Sequence, residues 1–565
     1  MLKIIIKMLF NLKYIYLLVF LLSISLPQSK DNVKNKKPIK DKTVFSNDQS
    51  TEEYLEIFEK SLKLLRVNYV DSINESEVIV EGIKGLVKRL DPYTKLLVDS
   101  SKEKSDELRT GKYGGIGIQI GLRRDTLTVL STFENSPAYS EGLQIGDNIL
   151  MIDSTSTDGL STKECSKLIK GEVNSTVVLH VFRSFTKERL TFELERSNIS
   201  LKNVPYVGIN NQGIAYIRIS KFSKGVDKEF KNKLDSLSNL GMNGLILDLR
   251  GNGGGLLSAA INILDNITDR GDLLLTKKGK TNRSNASWTS RREPIIDSEV
   301  PIVVLVNRSS ASASEIVSGA IQDLDRGIVI GQKTFGKGLV QHMWDLNDTM
   351  TLKITTAKYY LPSGRLVQKQ DYLDNGFLTD GLDKSDSTIF KTKNNRTVKG
   401  GRGIMPDMVT SSNKYNRFIN ALWKERVFLT FASDYIPKNP DIKNELSQKL
   451  SLSRKTMKEF KKFLKGYKLE YLLEGEKELN RMKNNLDKHP SGIRSLENFF
   501  KKQKQLNLSL KYDKKDIENG LLREFCRVLF GVEKSIEVSL INDIEYNKAL
   551  EILNDLDEYY NILGY

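Results

Sequence analysis

The sequence predicts a multidomain α/β protein, and three observations carry that reading. A chain of 565 residues is too long for one hydrophobic core, so several domains are the default. From 198 to 410, short apolar runs such as "GLILDLR" and "PIVVLV" alternate with amphipathic stretches of helical period, the pattern of strands buried on both faces by helices. Ahead of that block, several β-type runs and two short helical ones crowd into 113–197. Apolar content of 39% with 28% charged residues is ordinary for a folded soluble chain.

The elements follow in order. Residues 1–26 place lysines at 3, 7 and 13 before an apolar run, 14–26, which reaches only ~20 Å as a helix against a ~30 Å hydrocarbon core. Ser23-Ile24-Ser25 offers a small-x-small cleavage site, so 1–26 reads as a signal peptide, with an uncleaved N-terminal anchor as the alternative. Residues 27–50 are polar, rich in lysine and asparagine and without periodicity: a disordered linker. Helical spacing of Tyr54, Leu55, Phe58, Leu62, Leu65 and Val70, a second helix near 77–90 and the stop "LDPYT" make 51–112 an N-terminal helical segment. Residues 113–197 read as a small β-barrel with two helices, 198–410 as the α/β core, and 411–565 as a charged helical region.

Net charge is +16, but the lysines lie in lysine- and glutamate-rich helices rather than on one dense basic face with aromatic platforms. A nucleic-acid partner is therefore not expected; an acidic partner or an anionic membrane surface stays open for the tail. The two cysteines, Cys165 and Cys526, lack metal-ligand spacing, so no metal and no cofactor are expected.

Chemistry concentrates at three places. In "NRSSASASEI", 307–316, a serine cluster follows a strand and opens a helix, where free N–H groups and the helix dipole would stabilise an oxyanion. A serine there is by itself an ordinary N-cap. In "LDLRGNGGGLL", 247–257, a buried strand runs into a glycine turn and then a helix; the spacing fits neither a phosphate loop nor a dinucleotide fingerprint, while an oxyanion hole fits. In "GQKTFGKGLVQHMW", 331–344, a strand over 337–342 would put Lys337, Leu339 and Gln341 on one face and His342 on the other. That leaves a lysine as the base, buried between Phe335 and Leu339.

Together with "YVDS", "LDPYT", "YGGIGIQI", "SPAYSEGLQIGDNILMID", "YYLPSGR" and "GIMPDMV", the stretch "SSASASEIVSGAIQDLDRGIVIGQKTFGKGLVQ" resembles the carboxyl-terminal processing (tail-specific) serine peptidases that carry a PDZ domain; the match runs from about 54 to 409. The resemblance implies a crotonase-like α/β peptidase core over 198–410, preceded by a PDZ β-barrel over 113–197. It implies a serine endopeptidase with Ser312 as nucleophile, Lys337 as general base, Gln341 orienting the lysine, and an oxyanion hole from Ala313 and Gly254. The family turn usually carries asparagine-proline before its glycine pair; here Gly251-Asn252-Gly253 loosens it and brings Gly255 into competition with Gly254. Asp323 matches an aspartate counted as catalytic in the family, but eleven helical residues span ~16 Å, which makes it an indirect contributor. Gly115, Ile116, Gly117 and Ile118 match the loop that takes a C-terminal carboxylate.

The expected partners are peptides or proteins with apolar C-termini; a membrane enters only through an uncleaved anchor, and homo-oligomerisation is left open. The expected location is outside the cytoplasm, in a bacterial periplasm or on the outer face of the inner membrane. The rival reading is an inactive PDZ scaffold presenting C-termini to a partner protease. An α/β esterase would need a G-x-S-x-G elbow, which this region lacks.

Overall fold

The computed structural model describes residues 50–565 apart from 124, 185, 201, 370–372, 375–376, 379–387, 412–414, 485–490 and 511–512. The expected leader, and the expected linker save Ser50, lie outside the described residues. The chain forms two compact units, 1–83 and 84–565.

In the first unit, Ser50 and Glu53 close a reciprocal capping box on the helix Thr51–Asn68. Leu55, Phe58 and Val67 on this helix stay largely exposed. The helix Glu75–Lys88 follows and runs across the division between the units.

In the second unit, after the end of that helix, the Asp91 carboxylate accepts the N–H groups of Tyr93 and Thr94, a side-chain turn. The strand Lys95–Val98 comes next and pairs antiparallel with Met350–Tyr360. This corrects the purely helical reading of 51–112: four residues are too few to show a period, and their partner lies far along the chain. Six strands, Ile118–Arg123, Thr126–Thr132, Asn148–Ile152, the short Thr155–Ser156, Thr176–Arg183 and Glu188–Glu195, then form an antiparallel sheet. Alternate residues Val177, Leu179 and Val181 point inward and meet Cys165 and Ile169 of the helix Thr162–Ile169, which closes the module.

The main sheet orders Tyr206–Ile209, Ile214–Arg218, Gly244–Asp248, Ile302–Val306, Ile328–Gly331 and Met408–Val409; all pairs after the first are parallel. Its central strands are buried on both faces, which explains their unbroken apolar sequence. Helices Val226–Asn239, Leu257–Leu264 and Ala313–Asp323 pack on one face. Ala549, Ile552, Leu553 and Tyr559 of the C-terminal helices cover Ile246, Val303, Leu305 and Ile330 on the other. A second sheet gathers Lys95–Val98, Leu273–Gly279, Ala286–Thr289, Leu339–Asp345 and Met350–Tyr360. Further helices after 416 share an aromatic core that includes Phe418, Phe428, Phe431, Phe460 and Phe525. Among the described residues, no helix is long and apolar enough to cross a membrane.

Three neighbouring parallel strands, Gly244–Asp248, Ile302–Val306 and Ile328–Gly331, deliver the glycine turn, the serine loop and the lysine loop to one edge of the sheet. Open α/β sheets bind their ligands outside the carboxyl ends of such strands.

Candidate active site

Burial and hydrogen bonding separate the four clustered serines. Ser310 is fully buried; its hydroxyl donates to the Leu249 carbonyl (2.9 Å) and accepts the Asn307 N–H (3.0 Å). Ser314 is also fully buried and donates to the Asn252 carbonyl (2.8 Å). Ser309 sits exposed on the turn. Ser312 differs from all three. It precedes the helix Ala313–Asp323 in a strained backbone conformation (φ 56°, ψ −113°), as the N-cap of a capping box with Glu315 whose firm bond runs from Ser312 N–H to the carboxylate (2.8 Å), its hydroxyl held only loosely. Positive φ at a non-glycine residue costs on the order of 1–3 kcal/mol and persists only where surrounding contacts enforce it.

Glu315 and Tyr359 are those contacts. One oxygen of the fully buried Glu315 carboxylate accepts the N–H groups of Ser312 (2.8 Å) and Lys337 (2.9 Å). The other accepts Gly336 N–H (2.7 Å) and the Thr334 hydroxyl (2.6 Å). The Tyr359 hydroxyl lies within hydrogen-bond reach of the Ser312 carbonyl (3.2 Å) and the Lys337 carbonyl. Two buried side chains thus tie the serine segment to the lysine segment. Burial pushes the Glu315 carboxyl up to about 6, against the bonds that favour its charged form.

Lys337 lies in the loop before the strand Leu339–Asp345, whose pairing shifts register between Val340 and Gln341, so simple alternation does not reach from 337 to 342. Its ammonium sits 4.7 Å from the centre of the Tyr93 ring. Phe335, expected as a wall of the lysine pocket, is 51% exposed; Tyr93 supplies an aromatic face instead. Desolvation first, then the like charge of Lys353, lowers the Lys337 amine to about 8, with Glu315 and Asp91 acting in the opposite sense. Gln341 donates to the Thr355 hydroxyl (3.3 Å), which in turn reaches Asp91 (3.2 Å). His342 stacks edgewise on Trp344, His180 bonds Thr191 in the barrel, and His489 lies outside the described residues.

The glycine turn touches the serine. A Cβ built on Gly254 would stand 2.8 Å from Ser312 Cβ and 3.0 Å from Ala313 N, so no side chain fits there. Its N–H, however, donates to Asn252 Oδ1 (2.9 Å) rather than facing the site. Gly255 bridges Phe222 through the flanking groups Gly254 C=O and Leu256 N–H, which turns its own N–H to the opposite side. Ala313 N–H is the first amide of its helix, among those that no intrahelical carbonyl satisfies. Asp323 ends that helix and pairs with buried Arg365 (2.7 Å) while accepting Ser363 N–H (3.0 Å), an anchor remote from the hydroxyl.

In the barrel, Gly115, Ile116, Gly117 and Ile118 line a cavity of about 30 Å³ together with Ile120, Ser166, Ile169 and Lys170. Gly117 has φ 75°, and a Cβ there would stand 2.2 Å from Ser136 Cβ. At the rim, Lys170 pairs with Glu107 and lies over the Tyr113 ring. Sequence reasoning missed Glu315, Tyr359, Tyr93 and Lys170. Only Glu315 carried a local signal, the Ser-x-x-Glu spacing of a capping box.

A PDZ module joined to an α/β core whose helix start presents a strained serine tied to a desolvated lysine segment is the layout of a serine peptidase. The profile of peptidase family S41 matches residues 213–376, that of the PDZ domain 114–195, and that of a probable PDZ-protease C-terminal helical domain 418–553. The chain is 36% identical to a carboxyl-terminal-processing protease of Synechocystis sp. over 54% of this chain and 72% of that one. It is 31% identical to a carboxy-terminal-processing protease of Bartonella bacilliformis over 57% and 74%. A solved photosystem II D1 C-terminal processing protease aligns at 26% identity, covering 64% of this chain and 94% of that one, with a TM-score of 0.35. The chain belongs to the carboxyl-terminal-processing protease family of S41 serine peptidases.

Proposed function

We propose that this protein is an exported endopeptidase that captures the C-termini of unfolded or precursor proteins in its PDZ groove and cleaves them with a Ser312–Lys337 dyad. The observation that carries the reading is a half-buried lysine with its amine lowered to about 8, locked to the segment of the strained Ser312 by Glu315 and Tyr359. A lysine in water has a pKa near ~10.4 and is almost wholly charged at neutral pH, so desolvation is what frees a lone pair.

In the proposed reaction, neutral Lys337 Nζ takes the Ser312 proton as Oγ attacks the scissile carbonyl. The oxyanion is received by Ala313 N–H and the glycine turn, where Gly255 offers the unengaged amide in place of Gly254. Lysine then returns the proton to the leaving amine as the C–N bond breaks, and water discharges the acyl-enzyme with Lys337 again as base. Gln341 braces this strand through Thr355 and Asp91, and Asp323 contributes only by anchoring the far end of the helix. No step calls on a metal.

The loop Gly115–Gly117 with the Ile118 strand would add an extended C-terminal peptide, and the isoleucine-lined cavity favours an apolar last residue. A periplasmic site, or one on the outer face of the inner membrane, follows from the leader reading. The inactive-scaffold reading is not favoured, since a scaffold needs neither the strained serine nor the desolvated lysine. Mass spectrometry of a model protein with an apolar C-terminal tail, incubated with the purified enzyme, tests the function. Internal cleavage that depends on the tail is expected; equal cleavage of a tailless control would contradict tail capture.

A further inference from the structure

We propose that Asp543 and Glu545, contributed by the C-terminal helical region, are positioning residues for the peptidase reaction, holding through Arg250 the glycine turn that faces Ser312. The proposal rests on Ser312 being the nucleophile.

Arg250 directly precedes the turn and is nearly buried. Its Nη1 lies 2.8 Å from both oxygens of Asp543 and 2.6 Å from Glu545 Oε2. Its Nε and Nη2 meet Asp248 at 2.7–3.1 Å, and Asp248 also accepts the Tyr216 hydroxyl (2.6 Å) and the Arg250 N–H (2.9 Å). Three carboxylates therefore converge on one guanidinium. The two distant ones are fixed in their own right. Asp543 caps the helix Ile544–Asn554 by accepting Tyr546 N–H (2.9 Å), and Glu545 Oε1 accepts the Thr410 hydroxyl (3.3 Å). That helix rests on the back of the sheet through Ala549, Ile552 and Leu553. A second tie runs beside it: the Tyr559 hydroxyl accepts the N–H of Ile302, the first residue of the strand that leads to the serine loop (2.9 Å).

The turn needs an external hold. Gly251, Gly254 and Gly255 adopt φ of 75°, 95° and 153°, and glycine surrenders more backbone freedom on ordering than any other residue. Asn307 holds the Gly251 N–H (3.0 Å), and Asn252 stitches the middle to Ile219 (2.9 Å) and to the Ala311 N–H (3.1 Å). The Arg250 side chain fixes the entry. If the acids serve only the fold, neutralising them leaves the nearly buried guanidinium short of countercharge and lowers the melting temperature, while kcat of the folded enzyme is kept. If they aim the turn, neutralising them displaces an oxyanion donor, and a misplacement of ~1 Å costs about 10²-fold in rate.

The test uses the full chain with a tailed protein substrate. Asp543→Asn and Glu545→Gln, singly and combined, are compared with wild type for kcat, KM, the pH midpoint of kcat and melting temperature. The double variant is expected to lose about 10- to 100-fold in kcat, with KM within about twofold and the pH midpoint unmoved. Glu551→Gln, on the same helix in an exposed pair with Lys548 (2.7 Å), is expected to leave kcat unchanged. A wild-type kcat in the folded double variant overturns the proposal, as does a kcat loss that only tracks the fraction of titratable serine. If the double variant does not fold, the singles carry the test, and failure of both to fold overturns it in favour of a purely structural clamp. Ser312→Ala is assayed alongside: activity retained there sinks the nucleophile itself, whereas a normal kcat in the acid variants sinks only the clamp.

Discussion

Two glycine-rich loops serve this chain, and they are held in opposite ways. The turn at 251–255 is stitched by the side chains of buried Asn252 and part-buried Asn307 and Arg250, and it lies against a serine whose strained backbone is fixed by Glu315. The loop at 114–117 is held by backbone instead: Gly114 and Gly115 pair with Asn198 and Ser197, the Ile116 carbonyl accepts Ala138 N–H (3.1 Å), and the Gly117 carbonyl accepts Phe133 N–H (2.8 Å) and the Ser136 hydroxyl (3.3 Å). Its cavity is only about 30 Å³, with Lys170 occupied by Glu107 at the rim. A site that stabilises a transition state must stand ready before substrate arrives. A site that captures a peptide strand needs its backbone held in place rather than side chains aimed at one atom, and strand pairing supplies that.

The largest effect should separate Ser312 from its neighbours. Ser312→Ala is expected to lower kcat by at least ~10³-fold with little change in melting temperature, because the firm half of its capping box, Ser312 N–H on Glu315, is backbone and survives the substitution. Ser310→Ala should do the reverse: removing a buried hydroxyl that serves two partners costs about 1–3 kcal/mol, and the loss appears in the thermal melt. Comparable kcat losses in the two would erase the distinction.

A smaller effect is expected at the capture loop. Gly117→Val places a branched side chain at φ 75° and against Ser136, and should raise KM for a tailed protein about tenfold. Cleavage of a short tailless peptide should stay the same. Equal losses on both substrates would mean that the loop supports the fold rather than reads the tail.

The smallest prediction concerns charge. Lys353 is the second cause of the lowered Lys337 amine, so Lys353→Met removes a like charge, favours the protonated lysine and moves the midpoint of kcat against pH upward. A kcat–pH titration in matched salt checks the sign. A downward or absent shift would show that the two amines do not interact.

Local pattern made part of this legible. The parallel core announced itself because strands covered on both faces read as unbroken apolar runs, and the serine cluster stood where such a run meets a helix. Ser312 could be singled out by resemblance, but the reason it differs from Ser310 and Ser314 lies in bonds to Leu249 and Asn252, which no local spacing reveals. Lys337 was readable as a candidate, yet its pocket was misread. Phe335 is its sequence neighbour, while Tyr93 comes from a turn more than two hundred residues earlier. The strand Lys95–Val98 and the Lys170–Glu107 pair escaped notice for the same reason: a short segment, or a contact set by tertiary packing alone, leaves no period behind.

The central claim is that Lys337, whose amine sheds its own proton through a midpoint near 8, takes the proton of Ser312. Its most direct test is the rate at which a serine-directed phosphonofluoridate labels the full-length protein from pH 6 to 10, read by intact mass and peptide mapping. A single adduct on Ser312 is predicted, with a rate that rises through a midpoint near 8 in the wild type. No labelling at any pH is predicted in Lys337→Arg, because arginine stays charged. An adduct on another residue, a rate indifferent to pH, or labelling that survives in Lys337→Arg would contradict the account.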